Sequence, residues 1–100
     1  MPSPAGRLLA RLGQLRPGSG VVVSDQNVVV TLASDSTVHA FSATCTHQGC
    51  TVDAVQNGVI TCPCHGSRFD ARTGAVLTGP APRPLPAVAV VVRNGGVYTR

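Results

Sequence analysis

The chain has no lysine, no glutamate and no tryptophan, and its 100 residues include only one tyrosine and two phenylalanines. A nucleic-acid surface built on stacking needs aromatics interleaved with a basic stripe. The eight arginines here are instead scattered: Arg7, Arg11 and Arg16 lie near the N-terminus, and only Arg68 and Arg72 lie close to the motifs below. Nucleic acid is therefore not expected as a partner. No apolar run approaches the roughly 20 residues that a membrane-spanning helix needs. Leu8, Leu9, Leu12 and Leu15 recur at helical spacing but are interrupted by arginines, and no signal-peptide apolar core follows. Residues 1–19 are thus expected to form an arm, a short helix or a linker.

What remains is 43% hydrophobic, mostly valine and alanine, with 11 glycines and 8 prolines. A core of β-branched residues suits strands. Strand candidates are Val21–Val23, Val28–Leu32, Val38–Ser42, Thr51–Val55, Gly58–Thr61, Ala75–Leu77, Ala87–Arg93 and Val97–Arg100. Turn signals at Ser24–Asn27, Ser34–Ser36, Gln56-Asn57, Ala71–Gly74 and Asn94–Gly96 separate them. The proline-rich stretch Gly79–Pro86 cannot be a central strand, because proline lacks the ladder donor. The expectation is one all-β domain over 20–100, a small antiparallel sandwich or barrel of short strands with a subdomain at about 43–82. So short a chain gains from a metal or disulfide staple.

All four cysteines and two of the three histidines fall in two stretches, Cys45-Thr46-His47-Gln48-Gly49-Cys50 and Cys62-Pro63-Cys64-His65-Gly66-Ser67. Cys45 and His47 stand two apart and Cys62 and His65 three apart, so each loop offers one thiolate and one imidazole. Two histidines and two cysteines are the ligand set of a Rieske centre, where histidine replaces cysteine on one iron of a 2Fe-2S cluster. The same residues admit a structural Cys2His2 zinc site, although zinc sites usually draw paired cysteines from one turn. A disulfide-stapled module without metal is the third reading.

The paired boxes closely resemble the Rieske family, and Gly79-Pro80-Ala81-Pro82 resembles the proline-rich third loop that covers its cluster. The resemblance implies one 2Fe-2S cluster per chain, with Cys45 and Cys62 on the inner iron and His47 and His65 on the outer one. It also implies a Cys50–Cys64 disulfide tying the ligand loops together, as in Rieske subunits of cytochrome bc-type complexes and unlike most dioxygenase ferredoxins. Ser67 matches the serine whose hydroxyl bonds a bridging sulfide in high-potential members. Phe69 stands where those members carry a tyrosine that bonds a ligand sulfur. Gln48 replaces the leucine common in quinol-oxidising subunits and weakens a quinol assignment. Gly49 and Gly66 fit tight turns beside the cluster, Pro63 and Pro80 stiffen the loops, and His39 lies outside the pattern.

The implied function is one-electron transfer by a soluble carrier or soluble domain. Its potential would lie between those of dioxygenase ferredoxins and high-potential subunits and would fall at alkaline pH. A quinol-oxidising or arsenite-oxidase-like subunit of a membrane complex is the alternative. Partners would be redox proteins, with the net charge of +4 giving solubility or steering toward an acidic one. A membrane would be met only through an anchor absent from this sequence. Disulfides persist in oxidising compartments, which favours the extracytoplasmic face.

Overall fold

The computed structural model describes residues 6–45, 50–64, 66–79 and 81–100. Ten short strands run along the chain: β1 Leu8–Arg11, β2 Gly20–Val23, β3 Val28–Leu32, β4 Val38–Ser42, β5 Ala54–Gln56, β6 Val59–Thr61, β7 Arg68–Asp70, β8 Val76–Thr78, β9 Val90–Arg93 and β10 Gly96–Thr99. Two single 3-10 turns, Leu12–Gln14 and Ser24–Gln26, are the helical segments among the described residues. No described helix is long and apolar enough to cross a membrane. The strands form three antiparallel sheets in the orders β1-β10-β9, β2-β3-β4 and β5-β6-β7-β8. This is the all-β architecture of short strands expected from the composition.

β3 explains the layering. Its residues Val28, Val29, Val30 and Thr31 are all buried, and successive side chains of a strand point to opposite faces. Val28 and Val30 pack with Leu9, Leu15, Ala40 and Val97 under the β1-β10-β9 sheet. Val29 faces the other way, into a core with Phe41, Val52, Val55, Ile60 and Phe69 that also encloses Cys45 and Cys62. The β2-β3-β4 sheet is thus shared between two cores. The third sheet closes over the second core.

Hydrogen bonds fasten the third sheet to the middle one at the turn of the β5–β6 hairpin. The Gly58 N–H donates to Gly18 O at 2.8 Å, the Ala71 N–H to Gly58 O at 2.9 Å, and the buried Thr31 hydroxyl to Ala71 O at 2.6 Å. Asn57 and Gly58 both have positive φ (53° and 77°), as do Asn94 and Gly95 (49° and 75°). Asn-Gly tolerates this pair of left-handed conformations, which gives tight two-residue hairpins. The first hairpin brings the chain back so that the segments before β5 and after β6 emerge together.

The structure departs from the sequence expectations in two elements. Leu8–Arg11 is a strand paired with β10 rather than an arm or short helix, and Leu9 and Leu15 are buried. β7, Arg68–Asp70, was not anticipated; it pairs with β6 through Ile60↔Phe69. In both places a partner strand supplies hydrogen bonds that local pattern does not announce.

Candidate metal centre

The two cysteine boxes leave the ends of β4 and β6. Beyond β4, Asn27 in left-handed conformation receives the Ala43 N–H on its carbonyl at 3.0 Å, and its amide bonds the Thr44 hydroxyl at 2.8 Å. Thr44 also bridges to Thr51 across the first box. Each box is closed by the amide of its first cysteine: Cys45 N–H donates to Cys50 O at 2.6 Å, and Cys62 N–H to Ser67 O at 2.9 Å. Two pinched loops are therefore presented side by side at one end of the third sheet.

Cys45 and Cys62 are free and buried, at 3% and 1% exposure. Their side chains lie within hydrogen-bonding reach of one another. Burial pushes the Cys62 thiol above its usual range, the neighbouring Cys45 thiol and Asp53 carboxylate add to this, and the Cys64 backbone pulls the other way. Cys50 and Cys64 form a disulfide that joins the two loops, the pairing the resemblance implied. The four cysteines thus divide into one buried thiol pair and one cross-link.

Ser67 follows directly and is 1% exposed. Its hydroxyl oxygen accepts the Ala81 N–H at 3.3 Å, which ties the third loop to the second box. Gly79 packs against it with φ +98°, and a Cβ there would lie 2.7 Å from Ser67 Cα and 3.1 Å from its Oγ. Only glycine leaves room for that approach. Phe69 is fully buried in the core that surrounds the thiols. Gly66 has φ +76°, as a tight turn requires. His39 is on β4, its Nε2 3.0 Å from the Thr37 hydroxyl and its ring stacked on Phe41.

His47 and His65, with Gln48, Gly49 and Pro80, lie outside the described residues. Among the described residues no three ligating side chains gather; the described donors are the two thiols. Two soft donors, buried together and flanked by backbone amides, fit one iron of an iron–sulfur cluster. Sequence reasoning missed the Asn27–Thr44 clamp, the Gly79–Ser67 contact and Asp53. An asparagine in a turn and a glycine before proline were the available signals for the first two.

Residues 8–89 match the Rieske [2Fe-2S] domain model. The chain belongs to the Rieske [2Fe-2S] family. Its cofactor is accordingly a Rieske-type 2Fe-2S cluster. The Rieske domain is 43% identical over 58 residues to the putative respiratory nitrate reductase subunit Rieske of Haloferax mediterranei, covering 57% of this chain and 26% of that protein. It is 36% identical over 102 residues to the cytochrome b6-f complex iron-sulfur subunit 2 of a Nostoc species, covering 97% of this chain and 55% of the relative. The chain thus spans about a quarter to a half of these curated relatives' length. Among solved structures, the ferredoxin of carbazole 1,9a-dioxygenase from Nocardioides aromaticivorans IC177 superposes with a TM-score of 0.76 at 32% identity, over 95% of this chain and 96% of the ferredoxin.

Proposed function

We propose that this chain is a one-electron carrier, or the electron-carrying domain of a larger redox protein, with residues 43–82 as the cluster-binding unit. The observation that carries this reading is the pair of buried free thiols, Cys45 and Cys62, enclosed by loops that the Cys50–Cys64 disulfide locks together. In this reading Cys45 and Cys62 hold one iron, and His47 and His65 hold the other. A cluster so ligated supplies a one-electron couple within about −150 to +300 mV.

The residues around it set where in that range the couple lies. The Ser67 oxygen accepts from Ala81, and among the described residues no acceptor is recorded for its one proton, which in this reading donates toward the cluster side. A donor to cluster sulfur favours the reduced form and raises the potential. Phe69 offers no such hydrogen. The apolar enclosure of Val52, Val55, Ile60 and Phe69 excludes water from the thiol side. Redox proteins are the partners this reading requires.

A second reading, a quinol-oxidising subunit, is supported by the disulfide and by relatives named as cytochrome b6-f iron-sulfur subunits. Gln48 weighs against it. Iron and acid-labile sulfide determination, with electron paramagnetic resonance of the reduced protein, tests the proposal. Two irons per chain and a Rieske signal that disappears in Cys45→Ser and Cys62→Ser are expected. Stoichiometric zinc without visible absorption would overturn it. Reduction by a quinol at rates that depend on Gln48 would favour the second reading over the first.

A further inference from the structure

All three asparagines of the chain, Asn27, Asn57 and Asn94, have left-handed backbone, with φ of 55°, 53° and 49°. Two of them precede glycine at the tip of a two-residue hairpin: Asn57-Gly58 joins β5 to β6, and Asn94-Gly95 joins β9 to β10. An asparagine before glycine cyclises readily, because glycine has no Cβ to hold its nitrogen away from the side-chain amide. The reaction needs that nitrogen to be free and the turn to swing open. The two hairpins are thus a matched pair in which only the surroundings differ.

Their carbonyls are held alike. The Leu12 N–H donates to Gly95 O at 2.8 Å, and the Ala71 N–H donates to Gly58 O at 2.9 Å. Their nitrogens are not. The Gly58 N–H donates to Gly18 O at 2.8 Å, and Gly18 closes on the turn so tightly that a Cβ there would lie 3.5 Å from Gly58 N and 3.6 Å from Asn57 Cα. Gly95 N has no hydrogen-bond partner among the described residues. Asn94 and Gly95 are both exposed, whereas Gly58 is half-buried. Asn27 differs from both: the buried, β-branched Val28 follows it, and its own amide is bonded to the Thr44 hydroxyl at 2.8 Å.

From this we infer that Asn94 is a site of spontaneous modification, converting to aspartate and isoaspartate in the folded protein while the fold protects Asn57. The Gly95 main-chain nitrogen gives its proton to solvent base and bonds to Asn94 Cγ. The Cγ–Nδ2 bond breaks, and ammonia leaves with a proton returned from solvent, which closes a cyclic imide. One water then opens the ring. Cleavage of the new bond leaves aspartate; cleavage at the original main-chain carbonyl routes the backbone through Cβ and Cγ and leaves isoaspartate. Oxidation states do not change, and water is the sole co-reactant.

Either product adds a carboxylate to the turn and lowers the formal net charge of +4 by one. The new charge lies next to Arg93, whose guanidinium carbon sits 4.8 Å from the Tyr98 ring centroid. Isoaspartate also inserts an extra main-chain carbon between Arg93 and Gly96, the pair that closes the hairpin. A two-residue turn has no slack for it. Gly95 O, which receives the Leu12 N–H, is displaced with the turn. All of this falls on the β1-β10-β9 sheet, which carries none of the cysteines. The modification therefore loosens one sheet and leaves the two ligand boxes as they are.

Peptide mapping by mass spectrometry of the cluster-loaded chain, held at mildly alkaline pH and sampled over days, tests this. Conversion at Asn94 should lead. Asn57 should lag by about tenfold, which corresponds to about 1.4 kcal/mol and to the upper end of what one hydrogen bond contributes. In urea with the disulfide reduced, the two Asn-Gly sites should convert at similar rates, because only the fold distinguishes them. Hydrogen exchange should show the Gly58 amide protected and the Gly95 amide open. Equal rates in the folded protein, faster conversion at Asn57, a protected Gly95 amide, or a tenfold gap that survives in urea would each overturn the inference. The species converted at Asn94 alone, separated by ion exchange, should keep the visible and paramagnetic spectra of the parent; bleaching on conversion would overturn its confinement to one sheet.

Discussion

Phe69 is fully buried in the apolar core that encloses Cys45 and Cys62, and its ring has no hydrogen to offer either sulfur. It is held by the Ile60↔Phe69 pairing of β6 and β7, so a tyrosine there would carry its hydroxyl into the same enclosure. A buried hydroxyl without a partner costs about 1–3 kcal/mol, and the sulfur side of this core is where an acceptor would be found. Phe69→Tyr is expected to raise the midpoint potential in a spectroelectrochemical titration while the protein stays folded. An unchanged or lowered potential would refute the role assigned to this position. The pattern legible here was positional: Phe69 stands two residues after Ser67, and the resemblance pointed to both. Thr31 was not legible. In Val28–Leu32 it looks like one more β-branched strand residue, and its bond to Ala71 O, 40 positions away, depends on which strands the fold brings together.

At the scale of elements, β3 and β4 appear with the bounds their composition suggests, since uninterrupted β-branched runs between turn residues leave little choice. The hairpin signals at Asn57 and Asn94 hold for a similar local reason: left-handed backbone is tolerated there. β1 was hidden because its leucines mimic helical spacing, and only the far end of the chain, through Leu8↔Tyr98, makes it a strand. The ligand boxes were legible as sequence, whereas the way they close, cysteine amide to the carbonyl of the last residue of the box, was not. The disulfide adds a second tie between these boxes, spanning a sequence separation of 14. In the chain-entropy view a loop of that size is worth about 3 kcal/mol. The double variant Cys50→Ala/Cys64→Ala should therefore denature at lower urea, and its visible absorbance should bleach faster than that of the wild type. Equal bleaching rates and midpoints would show that the hydrogen bonds at Cys45 and Cys62 hold the loops unaided.

For the whole molecule, shape and sequence speak to different questions. Near-complete superposition on a dioxygenase ferredoxin and sequence matches to b6-f and nitrate reductase subunits share one fold, so the fold does not choose the partner. Charge bears on that choice. The formal net charge is +4, and in an oxidised cluster two ferric ions, two sulfides and two thiolates cancel, so loading leaves the sign unchanged. Arg68 opens β7 directly after the second box, while Asp53 lies near Cys62. Positive fields speed encounter with anions, and salt screens them. Oxidation of the reduced protein by ferricyanide should consequently slow as ionic strength rises, whereas oxidation by a cationic cobalt complex should quicken. A reversed pair of slopes would mean that Asp53, and not the arginines, governs the surface through which electrons leave, and the natural partner would then be basic.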